Sequence, residues 1–292
     1  MRALLLALLV SATALWGAAA AAPASGTPCG GLAPPSRYDH VVLVVLENHR
    51  FSEVAAHSPY LNALARACGL ATGYSAVGHP SLPNYLALTS GSTQGISSDC
   101  HGCAISAPSI FGQTHGDWRS YLEGIPAAGY EGAARGRYVK QHDPAAYYTP
   151  LRRGYPQRAV PIGRLRTDLA RDRLARFSLV IPDQCHSEHD CSIATGDEWL
   201  RAWLPRIFAS HAYRSGRTAV FVTYDEGGGA RNLVYTVVAA RSVRPGTVVG
   251  ASFDHYSLLL TAERLLGLRC LAHACEARPM DQAFRLTARG RA

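Results

Sequence analysis

The chain has 292 residues, 48% of them hydrophobic and 17% charged, which supplies enough apolar material for a large core and most simply a single domain. Its formal charge of +8 favours anionic substrates or an anionic membrane surface as partners. No zinc finger, helix-turn-helix or RNA-binding signature accompanies that charge, so no specific nucleic acid and no obligate protein partner is expected.

The first residues run from Met1 and Arg2 through a Leu, Ala and Val stretch to Trp16, then into small residues up to Ala22. This is the order of charge, apolar core and small-residue cleavage region in a secretory signal peptide, and the apolar stretch is short for a membrane anchor. The expected division is a leader over 1–22 and one domain over 23–292, with a secreted or extracytoplasmic location. Export makes disulfides the natural use of the cysteines. Proximity pairs Cys100 with Cys103, Cys185 with Cys191 and Cys270 with Cys275, leaving Cys29 with Cys68. The C-x-x-C at Cys100 lacks the second ligand pair of a zinc site, which favours a covalent staple there.

Four apolar runs read as buried strands: His40 to Leu46, Phe177 to Ile181, Ala219 to Tyr224 and Val234 to Ala239. Their Val-rich, non-alternating character suits a mostly parallel sheet covered on both faces, hence an α/β, doubly wound architecture flanked by helices. Helices are expected over Leu82 to Leu88, Trp118 to Glu123, Glu198 to Phe208 and Tyr256 to Leu266. Thr195 and Glu198 form a T-x-x-E capping box for the third of these, and Gly267 stops the fourth. The Pro, Gly and Tyr-rich stretch from Gly124 to Pro161 reads as a long surface excursion. Residues 135–176 hold 11 basic residues against three acidic ones; a solvated face is the plainer reading and a phospholipid-docking patch the sharper one.

Ligands of an open α/β sheet bind beyond the carboxyl ends of its strands, so the polar residues that stop each apolar run come first. VVLVVLENHRF ends in Glu47 and Asn48, and VFVTYDEGGG ends in Asp225 and Glu226 before three glycines that let the chain turn. SLVIPDQCHSEHDC places Asp183, His186, His189 and Asp190 after a third strand. Each ending alone also reads as an ordinary acidic turn; together they point to one shared cation. Oxygen donors suit calcium, magnesium or manganese, and added histidine leaves room for zinc or iron. In GHPSLPNYLALTSGS, Ser81 falls at a helix N-terminus, where free backbone N–H groups favour a phosphate. From local sequence alone, a plain N-cap is the simpler reading of Ser81.

The ordered blocks ENHRF, GHPSLPNYLALTSG, HDCSIATGDEWL, TYDEGGG and DHYSLLLTAERLLGL, from Glu47 to Leu268, strongly resemble the bacterial phosphoesterase family that contains acid phosphatases and phospholipases C. That family is similar in fold to the alkaline phosphatase superfamily. The resemblance implies a divalent metal ion held by Glu47, Asn48, Asp225 and Glu226, with Ser81 completing the shell and acting as a metal-activated nucleophile through a phosphoseryl intermediate. It also implies that Asn84 donates to the phosphate, that His142 in VKQHDP binds it, and that His189 and His255 bind phosphate or assist proton transfer. Each of these histidines also reads as a structural one. The implied activity is phosphate ester hydrolysis of the acid phosphatase kind, with phospholipase C or another phosphodiesterase as the alternative. A catalytically silent secreted binding protein of the same fold is the alternative of another class. The chain is short for the phospholipase branch.

Overall fold

The Val-rich run His40–Leu46 becomes a central strand because it has no polar face to offer water: Val41 to Leu46 are at most 1% exposed. The computed structural model describes residues 27–288, so the expected leader over 1–22 lies outside the described residues. The central strand pairs in parallel with Phe177–Ile181 on one side and Thr218–Tyr224 on the other. The full eight-stranded order, by first residue, is Thr247, Gly69, Thr236, Thr218, His40, Phe177, Trp118, Ala159. Within it only Thr236–Ala239 runs against the rest. The result is a mostly parallel sheet flanked by helices in one domain, the expected α/β class.

Helix Ser81–Ser90 has every residue buried and packs on helix His255–Leu266. A helix apolar or small all round belongs inside a fold rather than on its surface. Gly91 ends it and Gly267 ends its partner, both in the left-handed conformation that lacks a Cβ penalty.

Three expectations are corrected. Trp118 to Leu122 is a strand between Phe177–Ile181 and Ala159–Pro161, not a helix; its five aromatic-rich residues are too few to set a period, and the sheet edge decided them. Helix Ile193–Ala209 begins before Thr195 and Glu198, with Ser192 at the N-cap position. There Thr195 Oγ1 meets Ser192 Oγ at 3.1 Å, and Glu198 faces outward to Arg201 at 3.3 Å, so the T-x-x-E box caps nothing. The stretch from Gly124 to Pro161 is a surface excursion only over its first part, where most residues to Arg137 are exposed; beyond it Tyr138, His142, Asp143, Tyr147, Tyr148 and Tyr155 are all buried, and the chain returns as the edge strand Ala159–Pro161.

Four disulfides join Cys29 to Cys68, Cys100 to Cys103, Cys185 to Cys191 and Cys270 to Cys275. They staple the entry to the first strand, two loops at the carboxyl edge of the sheet and the turn after the last long helix.

Candidate active site

Two parallel strands in register deliver the first acidic groups. Leu46 lies opposite Tyr224, and the Asp225 N–H donates to the Leu46 carbonyl at 2.9 Å, so Glu47 and Asp225 leave the sheet side by side. Asn48 then turns with φ 58°, a conformation asparagine tolerates better than most residues, and its N–H donates to Asp225 Oδ1 at 3.2 Å. Ser81 opens the buried helix opposite them. Its Oγ donates to Glu47 Oε2 at 3.1 Å. Glu226 turns the other way, to His79 Nδ1 at 2.9 Å and Asn84 Nδ2 at 3.3 Å.

Burial first, and then the neighbouring Asp225 charge, pushes the Glu47 carboxyl well above the ordinary range; burial first, and then Glu226, does the same to Asp225. Burial also raises Glu226, with His79 opposing. Two carboxyl groups crowded out of water, with the half-buried Glu226 next in the chain, repel one another unless protons or a cation intervene. Asn48 Oδ1 and Asp225 Oδ2 are moreover buried with no hydrogen-bond partner. Unpaired oxygen acceptors beside raised carboxylates are the donor set a hard divalent cation takes, so these residues fit such an ion.

The histidines divide by depth. His142 is buried, stacks on Tyr85 with ring centroids 5.4 Å apart, and brings Nε2 to 3.4 Å from Glu47 Oε1. Burial, with His189 nearby, pushes it down to about 3, so it stays neutral. His189 is the open one: its ring lies 6.2 Å from that of His142, and its Nδ1 is 2.7 Å from Asp190 Oδ1. His255 lies behind Asp225 rather than in front of it. Its Nε2 is 2.5 Å from the Asp225 carbonyl and its Nδ1 2.9 Å from the Tyr74 hydroxyl. Carbonyl oxygen can only accept, so Nε2 carries the hydrogen and Nδ1 accepts from Tyr74. Burial holds the ring neutral, near 4. Both ring nitrogens are thus engaged, Nε2 on the Asp225 carbonyl and Nδ1 on the Tyr74 hydroxyl.

A profile of the phosphoesterase family matches residues 54–269. The chain belongs to that family. It is 30% identical over 254 residues to the phosphatidylinositol-3-phosphatase of Mycobacterium tuberculosis (strain ATCC 25618 / H37Rv), covering 85% of this chain and 83% of that one. It is 27% identical to the phosphate-repressible acid phosphatase of Penicillium chrysogenum, covering 80% of this chain and 60% of that one. The chain thus spans a little over half of that fungal relative. Among solved structures, a protein in the alkaline phosphatase superfamily from Vibrio parahaemolyticus superposes with TM-score 0.58 at 11% identity, covering 83% of this chain and 70% of that one. A sulfatase from Pseudoalteromonas sp. superposes with TM-score 0.59 at 14% identity, covering 88% and 73%. Those two likenesses show the fold. Family membership and the phosphatase relatives make this phosphoesterase a hydrolase acting on phosphoric ester bonds.

Two expectations about the helix at Ser81 change once its neighbours are seen. The Leu82 N–H is already taken by Asp99 Oδ1 at 2.9 Å, and Pro83 has none to give, so the helix end is less free for phosphate than its position suggests. Asn84 is largely occupied as well. Its Oδ1 accepts from Val77 and Gly78 N–H at 3.0 and 3.1 Å, while Nδ2 donates to the carbonyls of Gly78 and Pro80 at 2.9 and 3.1 Å. It braces the 77–80 loop, and contact with phosphate would replace its longer bond to Glu226.

Tyr85 and Asp99 were missed in the sequence. Tyr85 had a legible signal, since it follows Ser81 by four residues and therefore shares its helix face. Asp183, which sequence order places near the cation, instead joins Glu123 and His186. His186 Nδ1 lies 2.9 Å from Glu123 Oε2 and 3.4 Å from Asp183 Oδ1, and one ligand atom from each lies within 4.8 Å of the others, a group with metal-ligand spacing that joins two strand ends. A cavity of about 630 Å³ between Tyr60, Leu64, Phe208 and Tyr213 is lined by none of the site residues.

Proposed function

We propose that this phosphoesterase is a divalent-cation-dependent phosphatase that uses Ser81 as its nucleophile on phosphate monoesters. The observation that carries the reading is the buried Ser81 hydroxyl donating to Glu47, which leaves the sheet side by side with Asp225, while oxygens of Asn48 and Asp225 stay buried without a partner. Glu47, Asn48, Asp225 and Glu226 would hold the cation with Ser81. Calcium, magnesium or manganese suits that oxygen set, and zinc or iron remains compatible. The ion, when bound, supplies Lewis-acid stabilisation of negative charge at the reacting oxygens.

The chain's own groups do the rest. Glu47 accepts from Ser81 and orients its oxygen toward phosphorus, and the attack builds a phosphoseryl intermediate that water then releases. His142, neutral and buried, offers a ring N–H to a phosphate oxygen, and Asn84 offers its amide. His189 has its Nδ1 on Asp190 and retains Nε2 as the proton donor to the departing alcohol. The monoester preference draws on the relatives named as phosphatases, and the phosphatidylinositol-3-phosphatase relative makes a phosphorylated lipid headgroup a candidate substrate. Four disulfides and the absence, among the described residues, of any helix long and apolar enough to cross a membrane accord with an extracytoplasmic setting.

The test is a panel of p-nitrophenyl phosphate, bis-p-nitrophenyl phosphate, phosphatidylinositol 3-phosphate and phosphatidylcholine, run on wild type and Ser81→Ala. Turnover of the monoesters that vanishes in Ser81→Ala supports the reading. Faster turnover of the diester or of phosphatidylcholine moves the protein to the phosphodiesterase side, and a folded Ser81→Ala with near-native rate removes Ser81 as nucleophile.

A further inference from the structure

Glu188 is a buried acid with no part in the chemistry above. It adopts φ +80°, a left-handed conformation that glycine takes freely and glutamate does not, yet its side chain is driven inward to 2% exposure. There Oε2 accepts from the Tyr224 hydroxyl at 2.9 Å, while Oε1 is buried without a partner. The carboxyl sits directly on Gly196 of the Ile193–Ala209 helix: a Cβ at that glycine would come within 2.2 Å of Oε1 and 2.3 Å of Cγ. Glycine weakens a helix interior, and this seat gives its presence a reason.

The next residue is His189. The turn at Glu188 sends one side chain down and its neighbour up, within the short loop closed by Cys185 and Cys191. That loop is also sewn to the exit of the central strand: Glu47 N–H donates to the Ser187 carbonyl at 2.9 Å, and His49 Nε2 lies 3.3 Å from the Glu188 carbonyl. Tyr224 immediately precedes Asp225, so the Glu188 side chain links the His189 loop to the strand that delivers a proposed cation ligand.

We propose that Glu188 is the positioning residue for His189, with its side chain wedged between Tyr224 and Gly196 to set where the imidazole stands over the site. The inference rests on the reading of His189 as proton donor, and shape rather than charge is what it requires. Burial, aided by Asp197 and opposed by the Tyr224 hydrogen bond, pushes the carboxyl up to about 9, so the neutral acid is the form that fills this seat.

The experiment compares Glu188→Gln, Glu188→Ala, Gly196→Ala and His189→Ala in the full chain. Each is assayed on p-nitrophenyl phosphate, whose leaving group needs little protonation, and on an alkyl phosphate, whose leaving group needs much. Glu188→Ala and Gly196→Ala are expected to lower kcat on the alkyl phosphate by about tenfold to a hundredfold, the effect of an ångström-scale misplacement. The loss on p-nitrophenyl phosphate should be much smaller, and Glu188→Gln should restore both. Equal losses on the two substrates where His189→Ala itself discriminates between them, or a Glu188→Gln as poor as Glu188→Ala, would overturn the proposal. The His189 ring resonances, assigned by their loss in His189→Ala, judge position without turnover: they should shift in Glu188→Ala and stay in place in Glu188→Gln. Resonances that ignore Glu188→Ala overturn the positioning role. Shifted resonances with a His189→Ala that shows no leaving-group dependence would leave that role standing and defeat only the proton-donor reading.

Discussion

Tyr85 and Glu47 form a buried hydrogen bond one helical turn beyond Ser81: the phenol donates to Oε1 of the carboxylate whose Oε2 accepts from the Ser81 hydroxyl. One helix therefore holds both the proposed nucleophile and the group that keeps Glu47 from turning away from it. Tyr85→Phe removes only the donor. Hydrogen bonds to charged groups contribute about 1.5–3 kcal/mol, so kcat/KM should fall roughly tenfold to a hundredfold with the circular dichroism spectrum unchanged. A rate within about twofold of wild type would show that Glu47 needs no such brace.

The strand ends were legible in the sequence because fully buried parallel strands are written as Val-rich runs, and the residues that break two of these runs emerge side by side in the candidate site while Asp183, after a third, does not. Glu47 and Asp225 were found this way. What the runs do not encode is which way a side chain turns after leaving the sheet. His255 opens its helix in the expected block, with the Asp254 side chain accepting from the Ser257 N–H at 2.8 Å, yet its ring turns back toward Tyr74. Asp99 reaches the N-terminus of the Ser81 helix from 17 residues away, and no local pattern foretells that. Trp118 to Leu122 carries too few residues for its period to oppose the edge pairing that made it a strand.

Cation removal has a signed consequence. With Glu47, Asp225 and Glu226 crowded in a buried site, the chelated protein should be less stable than the loaded one. Saturation to about a hundredfold over Kd is worth about 2.7 kcal/mol, which for a chain of this size raises Tm by roughly 5–10 °C. Asp225→Asn should melt higher than wild type in chelator, because it removes one of the repelling charges, and should gain little on adding the ion. Calorimetry in chelator and in excess magnesium, calcium or manganese checks both arms. A wild-type Tm indifferent to every ion contradicts the ligand set.

Asp143 offers a pH test away from the proposed ligands. It is fully buried against Tyr155, and burial pushes its carboxyl from the ordinary aspartate range up to about 7. A folded-state pKa above the unfolded one means the native state binds the extra proton, so stability is fully present below about pH 4 and declines as pH rises toward 7. A shift of this size corresponds to on the order of 4 kcal/mol at most. Asp143→Asn keeps an acceptor for Tyr155 without a titrating proton, so its melting temperature should overtake that of wild type between acidic and neutral pH. Parallel curves for the two proteins would show that Asp143 does not ionise at that cost.

The most direct measurement of the central claim is acid quenching during steady-state turnover of a phosphate monoester, followed by peptide mass spectrometry. The account predicts phosphate on Ser81 in the wild type, and neither label nor turnover in Ser81→Ala. Phosphate on another residue, or unlabelled Ser81 in a variant series where Ser81→Ala still turns over substrate, would contradict it.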